Sequence, residues 1–191
     1  MKIRVTTQPD WSKVGEHAHL VQFYEDESVL IPQLGRYIGT ALVAGDAAIV
    51  VSTEPIRHQV AAHLAGRGLD VAVARSQGRY FDADAATMLR QIMRAGMPDA
   101  GRFERLAGLL IDRATAGGLR VAVFGMMVDV LCGRGRIDAA IRLEELWNQL
   151  ARQRALTLAC AYRMSRFSNT RDAAPFVRIC SQHSHVFSAS R

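Results

Sequence analysis

Short, uninterrupted apolar runs separated by helical segments of ten or more residues constrain this chain more than any other feature. Ala47-Ala48-Ile49-Val50-Val51, Leu119 to Phe124 and Leu156 to Tyr162 are almost wholly apolar, as strands covered on both faces must be. Between them lie segments with apolar residues at helical spacing. The strongest carries Ile137, Ala140, Ile141, Trp147 and Leu150 on one stripe. Strands joined by helices of that length need crossover connections, which give a parallel sheet with helices on its faces. The expected fold class is therefore α/β: three-layer α/β/α around a mostly parallel central sheet. A chain of 191 residues, 49% of them hydrophobic, is long enough for one such core.

The remaining elements follow from local signals. From His17 to Tyr24 the residues alternate at strand spacing, and Glu25-Asp26-Glu27-Ser28 then supplies helix-start acids and caps. The helix that follows carries Val29, Leu30, Leu34, Tyr37, Ile38 and Leu42, with Pro32 expected in its first turn. Thr53-Glu54-Pro55 opens another helix. Val71 to Ala74 reads as a short strand, and Asp82 or Asp84 as the cap of a helix reaching Met93. A helix from about Asp99 to Ala116 ends at Gly117-Gly118. Arg163 to Asp172 reads as a polar loop. A last helix around Ala173 to Ser181 precedes a strand at His183 to Phe187. Residues 1–16 show no period and are expected to form a flexible N-terminal arm, leaving 17–191 as the domain.

Composition excludes several classes of function. No apolar run approaches the ~20 residues a membrane-spanning helix needs, and Met1-Lys2-Ile3-Arg4 leads into polar residues rather than the apolar core of a secretory signal. Three cysteines, 132, 160 and 180, are an odd number without CxxC spacing, which points to a reducing cytoplasm. The net charge of +6 is almost all arginine, with lysine only at Lys2 and Lys13. Those arginines are scattered rather than gathered on a recognition helix or arm, so direct nucleic-acid binding is not expected.

In an open parallel sheet, ligands sit beyond the carboxyl ends of the strands. Here those ends are Tyr24-Glu25, Ser52-Thr53-Glu54, Gly125-Met126-Met127 and Tyr162-Arg163. A nucleotide hydrolase needs a glycine-rich loop whose amides approach phosphate, followed by a lysine. After its first strand this chain has Glu25-Asp26-Glu27-Ser28, whose carboxylates repel a polyphosphate, and no lysine follows Lys13. The three-glycine dinucleotide fingerprint and the GxSxG nucleophile turn are absent as well. Cys132 and Cys160 read as packing thiols. No catalytic residue and no cofactor is expected, and the chain does not read as an enzyme.

The histidines admit two readings. His17 and His19 share a strand face, and His183 and His185 repeat that spacing, with Cys180 three residues earlier. Brought together, these five side chains would offer imidazole and thiolate to a transition metal. The spacing fixes no tetrahedral set, however, and half-buried histidine is ordinary. In Glu144-Glu145 one carboxylate can point into a cleft, but the expected arrangement is a solvated helix flank paired with Arg142 or Arg152.

Several runs carry a family resemblance together. They are His19-Leu-Val-Gln-Phe-Tyr24, Gly45-Asp46, Ser52-Thr-Glu-Pro55, Gly78-Arg-Tyr80, Asp82-Ala-Asp-Ala85, Pro98-Asp99, Arg102-Phe103 and Phe124-Gly-Met-Met-Val128. The most specific are Arg142-Leu-Glu-Glu-Leu-Trp-Asn148 and Cys180-Ser-Gln-His-Ser-His185, with Cys160-Ala-Tyr162 between them. Over roughly His17 to Phe187 the chain resembles the MEDS family, a sensory domain named for methanogen and methylotroph proteins and for the regulator of a dichloromethane-degradation operon. The resemblance implies a RecA/KaiC-like core without a P-loop. It also implies a sensor of small molecules, hydrocarbon derivatives among them, in prokaryotic signalling alongside histidine kinases, anti-sigma-type modules or DNA-binding domains. The chain departs from the family pattern at Met126, where a glutamate is expected, at Cys132, expected as tryptophan, and at Arg163, expected as proline. Loss of that glutamate implies a more apolar ligand.

The expected function is thus a non-enzymatic, cytoplasmic ligand-sensing module that acts in signal transduction or transcriptional regulation. Tyr24, Glu25, Glu54, Met126, Tyr162 and Arg163 are its candidate ligand residues. An unidentified small molecule and a signalling protein, a histidine kinase or regulator, are its expected partners, and a homo-oligomer is left open. The alternatives are a ligand-free interaction module of a kinase or anti-sigma-type cascade, and a degenerate ATPase with Glu54 or Asp129 holding magnesium.

Overall fold

Each of the apolar runs above lies in a single seven-stranded sheet. The computed structural model describes residues 4–6, 15, 17–168 and 173–188. In chain order the elements are β1 (Arg4–Thr6), β2 (His19–Tyr24), α1 (Glu27–Val43), β3 (Ala47–Ser52), α2 (Glu54–Ala65), α3 (Val71–Ser76), β4 (Tyr80–Asp84) and α4 (Ala85–Ile92). A two-residue hairpin, β5 (Met93–Arg94) and β6 (Met97–Pro98), leads to α5 (Ala100–Ala114), β7 (Val121–Gly125), α6 (Met127–Gly133) and α7 (Ile137–Gln153). Then come β8 (Leu156–Arg163), a 3₁₀ turn (Met164–Phe167), α8 (Ala173–Ser181) and β9 (His185–Ser188).

The large sheet runs β1-β9-β2-β8-β7-β3-β4, and each neighbouring pair is parallel. Right-handed crossovers then decide where the helices go. From β2 the chain moves toward β4, which places α1, α2 and α3 on one face with Leu20, Tyr24, Val50, Phe124 and Ala161. It then moves back toward β9, which places α4 to α8 on the other face with Val21, Phe23, Val123, Leu158 and Tyr162. The result is the expected three-layer α/β/α sandwich, and the edge strand β4 is where the direction of travel reverses.

Four local readings are corrected. Val71 to Ala74 is not a strand but the start of α3. The Asp70 carboxylate accepts from the amides of Ala72 (2.7 Å) and Val73 (3.2 Å), and only Val71 and Ala74, one turn apart, are buried. A cap and an i,i+3 face outweigh the strand preference of two valines. The strand lies instead at Tyr80–Asp84, where Asp82 and Asp84 obscured it. As β4 is an edge strand, it tolerates charge. Arg4–Thr6, within the segment read as an arm, forms the opposite edge by pairing with His185–Phe187. Three residues are too few to show a period. Pro32 sits in the second turn of α1, not the first, so the Ser28 carbonyl receives no helical amide from it.

Candidate functional site

Three regions can carry function: the strand ends, a polar cluster inside one face, and a cavity inside the other. At the strand ends the protein closes on itself. Asp26 caps α1 by accepting from the Ser28 amide at 2.7 Å, so this helix N-terminus, a place where phosphate commonly binds, already holds a carboxylate. The Arg163 guanidinium lies 5.0 Å from the Tyr24 ring centroid, donates to Glu27 at 3.0 Å and reaches the Glu25 carbonyl at 3.3 Å. Of the six candidate ligand residues, Tyr24, Glu25 and Arg163 are thus brought together. Met126 is buried on Tyr24's side of the sheet, Tyr162 is buried on the other side, and Glu54 is exposed at the start of α2. Asp129, the other residue considered for magnesium, accepts from the Arg163 amide at 3.0 Å and pairs with Arg166 at 3.4 Å.

The polar cluster lies between β2, β8 and α7. Strand alternation turns His19 of β2 and Cys160 and Tyr162 of β8 toward α7, whose stripe presents Glu144 and Asn148 one turn apart. The turn after α8 adds His183. Glu144 is fully buried, not a solvated flank. It accepts from the Tyr162 hydroxyl at 2.6 Å and from the Cys160 thiol at 3.3 Å, and lies 3.3 Å from His19 Nε2 and 3.4 Å from His183 Nε2. The flank reading suits its neighbour, since Glu145 pairs with Arg142 at 2.9 Å. Periodicity distinguishes the two only through the partners across the sheet, which lie 16 to 125 residues away in sequence.

Electrostatics follow from this packing. Burial works against ionisation of Glu144, but His183 and His19 outweigh it and hold the carboxyl below its usual range. Burial and the neighbouring His183 push the His19 imidazole below its ordinary value. The Cys160 thiol and the Tyr162 hydroxyl are both raised well above theirs by burial, reinforced by the Glu144 charge. Cys132 is pushed up to about 12, again chiefly by burial. None of these is the exposed, low-pKa thiolate that nucleophilic chemistry requires.

The five histidine and cysteine positions considered for a metal do not converge as a group. His19 and His183 meet, their ring centroids 4.1 Å apart. His17 is exposed and bonded through Nδ1 to the Ala151 carbonyl at 2.7 Å, and His185 Nδ1 lies 2.9 Å from the Ser184 hydroxyl. Cys180 packs in the core. The ligating atoms of His19, Glu144, Cys160 and His183 all lie within 4.8 Å of one another. Glu144 and Cys160, one on a helix and one in a buried strand, are the members that sequence reasoning missed.

On the opposite face, α1 covers a cavity of about 20 Å³, the volume open to the centre of a water molecule. Leu30, Leu34, Phe124 and Ala159 make its wall apolar, and Gln22 and Gln33 also line it. Both glutamine Oε1 atoms are buried without a hydrogen-bond partner among the described residues. The Gln22 amide is oriented by its Nε2, which donates to the Phe23 carbonyl at 3.1 Å. Tyr37 closes one side, its hydroxyl donating to the Thr157 carbonyl at 3.0 Å.

With this geometry in place, the comparison with known families is decisive. The model of the methanogen/methylotroph, DcmR sensory domain matches residues 18–174. The chain belongs to the MEDS family. No curated protein sequence matches it. Among solved structures, an uncharacterized protein of Pyrococcus horikoshii, PH0321, in complex with an unknown peptide, superposes with a TM-score of 0.62 at 14% identity, covering 94% of this chain and 80% of that one. The KaiC-like protein PH0186 from Pyrococcus horikoshii OT3 superposes with a TM-score of 0.56 at 12% identity, covering 85% and 72%. At such identities the likeness establishes a RecA/KaiC-like fold and nothing more. MEDS membership carries a sensory role. Among the described residues, no helix is long and apolar enough to cross a membrane.

Proposed function

We propose that this MEDS domain is a non-enzymatic sensor whose ligand, a compact uncharged molecule bearing a hydrogen-bond donor, occupies the cavity beneath α1. The observation that carries the reading is a pair of buried amide oxygens, Gln22 Oε1 and Gln33 Oε1, without a hydrogen-bond partner among the described residues on an otherwise apolar wall. A buried acceptor left unpaired costs about 1–3 kcal/mol, and a donor from a bound molecule recovers that energy. An apolar wall with few polar groups is the usual make-up of a small-molecule site. The volume suits one or two water-sized groups, so anything larger enters by displacing the first turns of α1. Pro32 lies in that stretch and leaves the helix one hydrogen bond short.

The output passes to a signalling protein in the cytoplasm, a kinase or a transcriptional regulator, by way of α1 and its neighbours. Buried thiols and the self-closed strand ends support a non-catalytic role. A second reading, a ligand-free interaction module, is favoured by one observation: a fold neighbour was solved with an unknown peptide.

Side-chain amide NMR of the full chain, titrated with short-chain alcohols and primary carboxamides, tests the proposal. The expected result is saturable shifts confined to Gln22, Gln33 and the α1 amides, lost in Gln33→Leu. Silence across the panel, together with stoichiometric capture of a kinase or regulator domain, would favour the second reading.

A further inference from the structure

With both imidazoles neutral, the cluster around Glu144 holds more lone pairs than protons. His183 Nδ1 lies 2.7 Å from the Ile179 carbonyl, which can only accept, so this nitrogen carries the ring proton. Asn148 donates through Nδ2 to the Gln182 carbonyl at 2.9 Å, which turns its Oδ1 to His19 Nδ1 at 2.9 Å and places a proton there too. In the neutral rings both Nε2 atoms are then lone-pair donors, and both face the same carboxylate. His183 Nε2 is fully buried and has no hydrogen-bond partner among the described residues. Oε1 of Glu144 already takes the Tyr162 hydroxyl, and the Cys160 thiol donates to Oε2.

We propose that His19 Nε2, His183 Nε2, Cys160 Sγ and Glu144 Oε2 bind one divalent transition-metal ion, with zinc the best match. Metal–ligand bonds of about 2.0–2.3 Å in a tetrahedron place the ligand atoms about 3.3–3.8 Å apart. His19 Nε2 is 3.3 Å from Glu144 Oε2 and 3.4 Å from Cys160 Sγ, and Cys160 Sγ is 3.3 Å from Glu144 Oε2. His183 Nε2 is 3.4 Å from the other carboxylate oxygen, Oε1, and within 4.8 Å of the rest. An imidazolium–carboxylate pair bridged by a proton alone would close to about 2.7–2.9 Å. Imidazole with thiolate selects zinc over magnesium or calcium.

The outer contacts fit as well, since metal-bound histidines donate their second nitrogen to a fixed acceptor. Here those acceptors are Asn148 and the Ile179 carbonyl, while Tyr162 orients the carboxylate. All four ligands are buried, so no coordination position opens to solvent and the site is structural, tying β2, α7, β8 and the turn before β9 together. Binding releases the Cys160 proton to solvent. The metal lies across the sheet from the cavity under α1, and the two proposals stand or fall separately.

The test uses the full chain, purified reduced and without chelator, with zinc measured by mass spectrometry. It is then stripped and reloaded with Co²⁺ for absorption spectroscopy. The expected result is one zinc per chain, with tetrahedral cobalt bands and a thiolate-to-cobalt charge-transfer band. That band is lost in Cys160→Ser and kept in Cys180→Ser, and zinc is kept in His17→Ala. Asn148→Ala should weaken zinc binding roughly 10- to 100-fold. Wild-type chain that retains no zinc and gives no charge-transfer band overturns the proposal whether or not the variants fold. So does a band that survives Cys160→Ser.

Discussion

The Tyr162 hydroxyl donates to Glu144 Oε1 across 2.6 Å, joining a buried strand to the middle of a helix at a point where neither side chain meets solvent. Hydrogen bonds to a charged group contribute about 1.5–3 kcal/mol, and a buried acceptor stripped of its donor keeps its desolvation cost. Tyr162→Phe should therefore lower unfolding free energy by about 2 kcal/mol, with the urea m-value unchanged, in chemical denaturation followed by circular dichroism. Glu144→Ala should cost more, about 3–5 kcal/mol, because it unpairs several buried groups at once. Equal stability of Tyr162→Phe and wild type would show that the hydroxyl has no energetic role.

Gln33 offers the opposite sign. Its Oε1 is buried beside Leu30, Leu34 and Phe124 without a partner among the described residues. Replacing an unsatisfied polar group with an apolar one of similar volume removes a penalty. Gln33→Leu should raise unfolding free energy by about 1 kcal/mol in ligand-free protein while abolishing the alcohol and carboxamide response. A stability gain with the response intact would place the ligand elsewhere.

Pro32 sets two effects against each other. Restoring an amide in the second turn of α1 should recover part of the ~3 kcal/mol that an interior proline costs. Losing the proline also frees the unfolded chain, which offsets about 0.4–1 kcal/mol. The balance predicts that Pro32→Ala is stabilising by about 1–2 kcal/mol. It also predicts slower hydrogen exchange at the start of α1, both readable by denaturation and amide exchange. Unchanged exchange there would mean the turn is held by packing rather than by its hydrogen bonds.

Much of the architecture was legible because its signals are local. The apolar runs of β3 and β7, the stripe of α7 and the helix-start acids around Asp26 each lie within a few residues of the element they define. What escaped depends on distance along the chain. Glu144 looks like any helix-flank acid until β2, β8 and the α8 turn surround it with His19, Cys160, Tyr162 and His183. The HxH pairs were visible, but only one member of each joins the cluster, because β2 begins at His19 and leaves His17 in a turn at φ 62°, while His183 lies in the turn before β9 and His185 in the strand itself. The strand at Tyr80–Asp84 was hidden by the very aspartates that an edge position permits.

Asp84 ends that strand and begins α4, where its carboxylate accepts from the Thr87 amide at 2.8 Å and lies 3.4 Å from Arg57. The Thr87 backbone contact, with a smaller contribution from Arg57, holds the carboxyl below its ordinary value. A carboxylate depressed in the folded state adds stability above its unfolded pKa of about 3.9, and that contribution is lost as pH falls through the folded value. Asp84→Ala should thus cost about 1 kcal/mol at neutral pH, the usual penalty for deleting an N-cap. The difference from wild type should shrink once the pH drops below about 4. Asp84→Asn keeps a cap without the titration, so its stability relative to Asp84→Ala should stay level through the same range. Parallel denaturation curves at neutral pH and near pH 3 decide the matter, and a difference between wild type and Asp84→Ala that persists undiminished in acid would assign the cap to packing rather than to charge.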